Sequence, residues 1–171
     1  MPRSPTIKIM DDPDLKRQKA QMLFEEAYIL QKQGQLGEAI VKYKQSLFHA
    51  ESAEAYTFLG WTYSMLERFE EAIHMCRKAI AVDPSFGNPY NDIGAYLIAL
   101  DRWEEAIPWL EKATKAVRYD ARHFAYTNLG RVYEHMGNYH TALAAFELAL
   151  KENQFYMPAV WAKWGLLGKL N

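Results

Sequence analysis

Five histidines, one cysteine and one acidic run are the groups in this 171-residue chain with the chemistry for catalysis or metal binding. The histidines are His49, His74, His123, His135 and His140. His135 and His140 stand five apart across Gly137-Asn138, so no common helical face turns two imidazoles toward one ion. The lone cysteine, Cys76, can make neither an intrachain disulfide nor a cysteine-based zinc site. A reactive thiolate needs an exposed, electropositive setting. Cys76 instead falls in a large-residue column of a helical face, where a packed thiol is expected. The run Asp11-Asp12-Pro13-Asp14 reads as a solvated helix start rather than a calcium loop, with Asp12 as N-cap and Pro13 at the first helical position. The nine glycines fall in turns and packing columns, and none builds a phosphate-cradling loop. These residues predict no enzyme, no metal and no cofactor.

The bulk composition narrows the partners. Half the residues are hydrophobic and 14% are aromatic, which suffices for a packed core. Twenty basic residues face 21 acidic ones, so the strong basic excess of a nucleic-acid binder is missing. No run approaches the roughly 18 apolar residues of a membrane span. The first ten residues, Met-Pro-Arg-Ser-Pro-Thr-Ile-Lys-Ile-Met, are too short and polar for a secretory signal. A cytoplasmic protein with no nucleic-acid and no membrane partner is the expectation.

The elements that would position any site come from a repeat. Glu38-Ala39-Ile40, Glu71-Ala72-Ile73, Glu105-Ala106-Ile107 and Thr141-Ala142-Leu143 place alanines 33, 34 and 36 residues apart. Seven residues after each stands a small residue (Ser46, Ala79, Ala113, Ala149), with Tyr43, Cys76, Leu110 or Phe146 between. Three before each alanine stands Leu36, Phe69, Trp103 or Tyr139. Offsets of 3, 4 and 3 lie on one helical face. An earlier helix carries Tyr56-x-x-Leu59-Gly60-x-x-Tyr63, repeated as Tyr90, Ile93, Gly94, Leu97 and as Tyr126, Leu129, Gly130, Tyr133. Mid-helix glycines cost about 1 kcal/mol each relative to alanine, so they predict close approach of two backbones.

This pattern, with Pro84 closing the second unit, resembles the tetratricopeptide repeat over residues 20–157. The units are 20–52, 53–86, 87–122 and 123–157. The resemblance implies an all-α fold, a right-handed α-solenoid of antiparallel helix pairs. A single domain would span 13–171, after a flexible segment 1–12. Residues 158–171, with Trp161, Trp164 and Gly165, resemble half a fifth repeat and would form a capping helix. The first unit carries Glu26-Ala27 in place of Leu-Gly, as suits a terminal unit. The third lacks the closing proline and has two extra residues in Arg118-Tyr119-Asp120-Ala121-Arg122-His123.

The resemblance further implies that the first helix of each pair lines a concave surface that binds another protein or peptide. Away from the core stripe, these helices offer Phe24 and Tyr28, then Thr57 and Trp61, then Asn91 with Asp92 beside it, then Arg131 with Asn128 beside it. Phe24, Tyr28 and Trp61 form an aromatic end suited to an apolar side chain. Asn91, Asn128 and Arg131 form a polar end, since carboxamides match peptide backbone and a guanidinium matches a carboxylate. In the competing structural account, Tyr28 and Trp61 pack against neighbouring units and Asn88 caps its helix. Arg118, Tyr119, Arg122 and His123 would form a basic rim, or complement a helix end. The lysine and asparagine clamp of chaperone-binding family members is absent: Phe24, Tyr28 and Phe58 stand in its places. A scaffold or adaptor is thus the expected function. The alternative is self-assembly into a homo-oligomer through Trp161, Trp164, Leu166 and Leu167. RNA binding is disfavoured, because Glu54, Asp92 and Glu134 lie near the groove.

Overall fold

The computed structural model describes residues 12–170, in which nine α-helices and no strand occur. The expected N-terminal segment lies outside the described residues except for Asp12. The helices are α1 (Pro13–Lys32), α2 (Leu36–His49), α3 (Ala53–Ser64), α4 (Phe69–Val82) and α5 (Asn88–Ala99). They continue as α6 (Trp103–Lys115), α7 (Arg122–His135), α8 (Tyr139–Glu152) and α9 (Met157–Leu170). At the start of α1, the extended Asp12 accepts a hydrogen bond from the Asp14 N–H at 3.0 Å and Pro13 occupies the first turn, which satisfies an orphan donor.

Helices pair in sequence order, α1 with α2 through α7 with α8, and α9 packs on α8. Each pair turns on one residue with left-handed backbone: Gly34 (φ 77°), Glu67 (φ 58°), Asp101 (φ 61°) and Gly137 (φ 77°). The next N–H reaches back to a carbonyl five residues earlier, as in Gln35 to Leu30, Arg68 to Tyr63, Arg102 to Leu97 and Asn138 to Tyr133. This is the Schellman arrangement, and it ends four helices in the same geometry. The result is an all-α solenoid built from nearly identical corners.

The small–large–small stripes of the even helices are the centre of the core. Ala39, Tyr43, Ala72, Cys76, Ala79, Ala106, Leu110, Ala113, Ala142, Phe146 and Ala149 are all fully buried. The mid-helix glycines face them. A Cβ on Gly94 would lie 2.4 Å from Leu110, one on Gly130 would lie 2.3 Å from Phe146, and one on Gly60 would lie 3.0 Å from the Ala72 carbonyl. Gly165 of α9 has nothing within 4 Å.

The long connection between α6 and α7 is a stitch, and the residues expected as a basic rim make contacts within the chain there. Arg118 N–H donates to Ser85 O and Gly87 N–H donates to Arg118 O, each at 3.0 Å, pairing the connection with the loop before α5. Arg118 donates to Asp83 and to Glu54, and its guanidinium lies over the Phe86 ring. Tyr119 is only 2% exposed and lies under Gly87, where a Cβ would come within 2.3 Å of it. Arg122 donates to Thr114 O at 3.2 Å and to Ala116 O at 2.7 Å, closing the end of α6. His123 packs on Phe124 and Tyr156, and burial lowers its pKa. Of the four residues, one is buried and two are spent on intramolecular partners.

Candidate functional site

Across units the odd helices touch one another, α1 with α3, α3 with α5, α5 with α7 and α7 with α9, and no even pair does so to the same degree. A stack whose odd helices lie closer together curves toward them, so these helices line the inner surface. On that surface the residue two before each small packing residue forms a column: Glu25, Phe58, Asp92 and Asn128.

Phe58 is the hub of the aromatic end. Its ring meets Phe24 edge-on at 5.3 Å, Tyr28 at 5.6 Å and Trp61 at 5.8 Å. Phe24 is half-buried and also packs edge-on against Tyr43, so it supports the surface more than it presents it. Tyr28 and Trp61 stay open, and Trp61 is 48% exposed. A cleft of about 700 Å³ adjoins this cluster, with Gln21, Phe24, Phe58, Glu51, Glu54 and Arg17 in its walls. Phe58 was legible in sequence only as a missing clamp asparagine. Its place in the column with Asp92 and Asn128 was the signal that it faces the groove.

The Thr57 hydroxyl donates its proton within its own helix. It is buried and donates to Ala53 O at 2.7 Å, and Thr127 repeats the bond to His123 O at 2.7 Å. Such back-bonding occupies a helical threonine locally. Asn88 is no cap either, because Gly87 holds the N-cap place and no side chain caps α5.

At the polar end, four residues from two helices form one chain of hydrogen bonds. Arg131 Nη1 donates to Asn128 Oδ1 at 3.4 Å, Asn128 Nδ2 donates to Asn91 Oδ1 at 3.1 Å, and Asn91 Nδ2 donates to Asp92 Oδ1 at 3.4 Å. Arg131 is exposed, Asn128 and Asp92 are half-buried, and Asn91 is buried. Desolvation pushes the Asp92 carboxyl up to about 7, opposed by the hydrogen bond from Asn91. The Cys76 thiol is pushed up by burial first and then by Asp92, and the same two causes raise the Tyr96 and Tyr119 phenols. No group of three potential metal ligands occurs among the described residues. No described helix is long and apolar enough to cross a membrane.

Comparison with known proteins identifies the repeat. Two tetratricopeptide repeat models match, one over residues 53–86 and one over residues 86–151. Among solved structures, pilF of Pseudomonas aeruginosa superposes with a TM-score of 0.83 at 24% identity, covering 90% of this chain and 70% of that one. MamA (residues 41 to end) from Desulfovibrio magneticus RS-1 gives 0.73 at 20% identity, covering 88% and 85%. YrrB, described as a TPR protein with an unusual peptide-binding site, gives 0.69 at 19% identity, covering 84% and 74%. At these identities the likeness is one of fold. No curated protein matches the chain.

Proposed function

Because the chain belongs to the tetratricopeptide repeat family, we propose that it is a scaffold or adaptor whose inner groove binds an extended segment of another protein. The observation that carries this reading is the Arg131–Asn128–Asn91–Asp92 chain on the groove surface. The half-buried Asn128 carboxamide keeps a second N–H and a second lone pair, the complement of a peptide unit. The open rings of Tyr28 and Trp61 supply an apolar counterpart in the two preceding units. Burial of one apolar side chain on such a surface contributes about 1.5–3 kcal/mol, enough to make the aromatic end an anchor.

The double substitution Asn128→Ala with Arg131→Ala tests the groove while sparing the buried Asn91. An affinity capture with this variant should lose the partners recovered by the wild type, at unchanged helical content by circular dichroism. Recovery of the same partners in the same amounts would place binding elsewhere.

A second reading, self-assembly through α9, rests on a different observation. Trp161 and Trp164 are 67% and 66% exposed on α9, the last described helix. Leu166, which the sequence suggested for this face, is fully buried with Ala142 and Phe146, and so belongs to the intramolecular core. If the reading holds, sedimentation velocity will show a larger species with rising concentration, abolished by Trp161→Ser with Trp164→Ser. A monomer up to high micromolar concentration excludes it.

A further inference from the structure

On α3, α5 and α7 the groove's charges fall into two kinds. Glu54 is held by Arg118, and Glu134 accepts from Lys169 at 2.6 Å. Asp92 and Arg131 take part in no salt bridge among the described residues, and they stand at opposite ends of one hydrogen-bond chain. All three bonds run in the same sense, from the guanidinium toward the carboxylate. The site is therefore a fixed dipole, positive on α7 and negative on α5, with two carboxamides between.

Asp92 is the less exposed end, and its one hydrogen-bond donor, Asn91, is neutral. It is the only charged residue of α5. The groups that feel its charge are Cys76 from α4, Tyr96 on its own helix and Tyr119 from the connection before α7. All three are neutral weak acids, and none is a cation. From α7, Asn128 donates to Asn91 and Arg131 donates to Asn128, and neither bonds to Asp92. The Tyr119 hydroxyl is itself buried without a hydrogen-bond partner. An enclosed carboxylate without a counter-charge is costly, and such groups concentrate at functional sites.

We propose that Asp92 receives a basic side chain, lysine or arginine, of the bound segment, while Arg131 takes an acidic group of the same segment. The inference rests on the groove reading above and sharpens it from any extended peptide to one carrying both signs of charge. A cation entering beside Asp92 supplies the missing counter-ion. A carboxylate on Arg131 converts a 3.4 Å contact with a neutral amide into a charge-assisted pair. The two charges also set the direction of the segment, because a reversed chain would bring like charges together.

Peptide display tests this without a known partner. A random phage library is selected on the wild type, and the enriched sequences are made as synthetic peptides and titrated by fluorescence anisotropy. The wild type should enrich a basic residue at one fixed position. Replacing it by norleucine should weaken binding to the wild type about tenfold or more and leave binding to the Asp92→Asn variant unchanged. If the norleucine peptide loses as much on Asp92→Asn as on the wild type, or if no basic residue is enriched, Asp92 is not the receptor. If the selected peptides bind the Asn128→Ala, Arg131→Ala variant undiminished, or if none is selected, the groove reading falls and this inference with it. Asp92→Asn keeps the side-chain shape, and its melting curve reports that the fold is retained.

Discussion

Gly130→Ala is expected to destabilise the protein by about 2 kcal/mol, whereas Gly165→Ala should stabilise it by up to about 1 kcal/mol. Both glycines occupy the same place in their helices, and both substitutions gain the same helix propensity. What differs is the space. At Gly130 the new methyl would meet the Phe146 ring at 2.3 Å, and Phe146 is fully buried among atoms that hold it in place. At Gly165 it meets nothing within 4 Å. Overpacking a full core costs about 1–3 kcal/mol or more, which outweighs the propensity gain. In a protein of this size, melting temperature moves by about 2–4 °C per kcal/mol. Thermal and urea unfolding followed by circular dichroism should therefore give shifts of opposite sign. A common sign would mean that close packing is not what holds glycine at this position. Gly60→Ala belongs between the two, since its nearest atom is the Ala72 carbonyl at 3.0 Å.

The second large effect is the dependence of stability on pH through Asp92. Its carboxyl sits near 7 in the folded protein and in the ordinary carboxylate range when unfolded, so the folded state binds the proton more tightly. The contribution is fully present below about pH 4 and is lost as pH rises through about 7. A displacement of that size corresponds to about 4 kcal/mol at 1.36 kcal/mol for each tenfold step, and partial exposure to the groove reduces it to about 1–2 kcal/mol. Asp92→Asn removes the titration. Its unfolding free energy should exceed that of the wild type at pH 8 and converge with it at pH 4. The difference between the two proteins isolates this carboxyl from the other titrating groups. A wild-type minus variant difference that is flat from pH 4 to 8 would refute the assignment.

The core was legible in the sequence because helical spacing translates directly into one buried face. Ala106, Leu110 and Ala113 need only their offsets of four and three to be placed, and each is fully buried. The glycine columns could be read for the same reason, since their propensity cost demanded a packing return. Contacts that cross between units were not legible. Tyr119 reads as a polar loop residue, and only Gly87, 32 positions earlier, reveals the room beneath it. Arg118 looks like a free cation until Asp83 and Glu54 are brought alongside. Leu166 is one residue from an exposed glycine, and a single step around a helix turns 100° from solvent to core. Asn91, Asp92, Asn128 and Arg131 were placed on the groove by the family resemblance together with helical spacing. That they join in one chain depends on the stagger of α5 against α7, which no local pattern encodes. The hydroxyls of Thr57 and Thr127 were within reach of sequence reasoning, because a helical threonine can always bond the carbonyl four residues back.

The stitch between α6 and α7 changes how the array comes apart. In an ideal solenoid each unit touches only its neighbours, so the chain behaves like a row of coupled beads and can fray from either end. Here Arg118 and Tyr119, beyond α6, are tied to Ser85, Gly87 and Glu54, the last of these 64 residues away in α3. Opening α7 and α8 therefore loosens the entry to α5 as well, and the middle of the protein acts as one cooperative block. In amide exchange, the slowest protons should run from α3 to α7 as a single plateau. The outer helices α1, α2 and α9 would exchange first, leaving the dipolar part of the groove on the rigid block and its aromatic rim astride the boundary with the softer end.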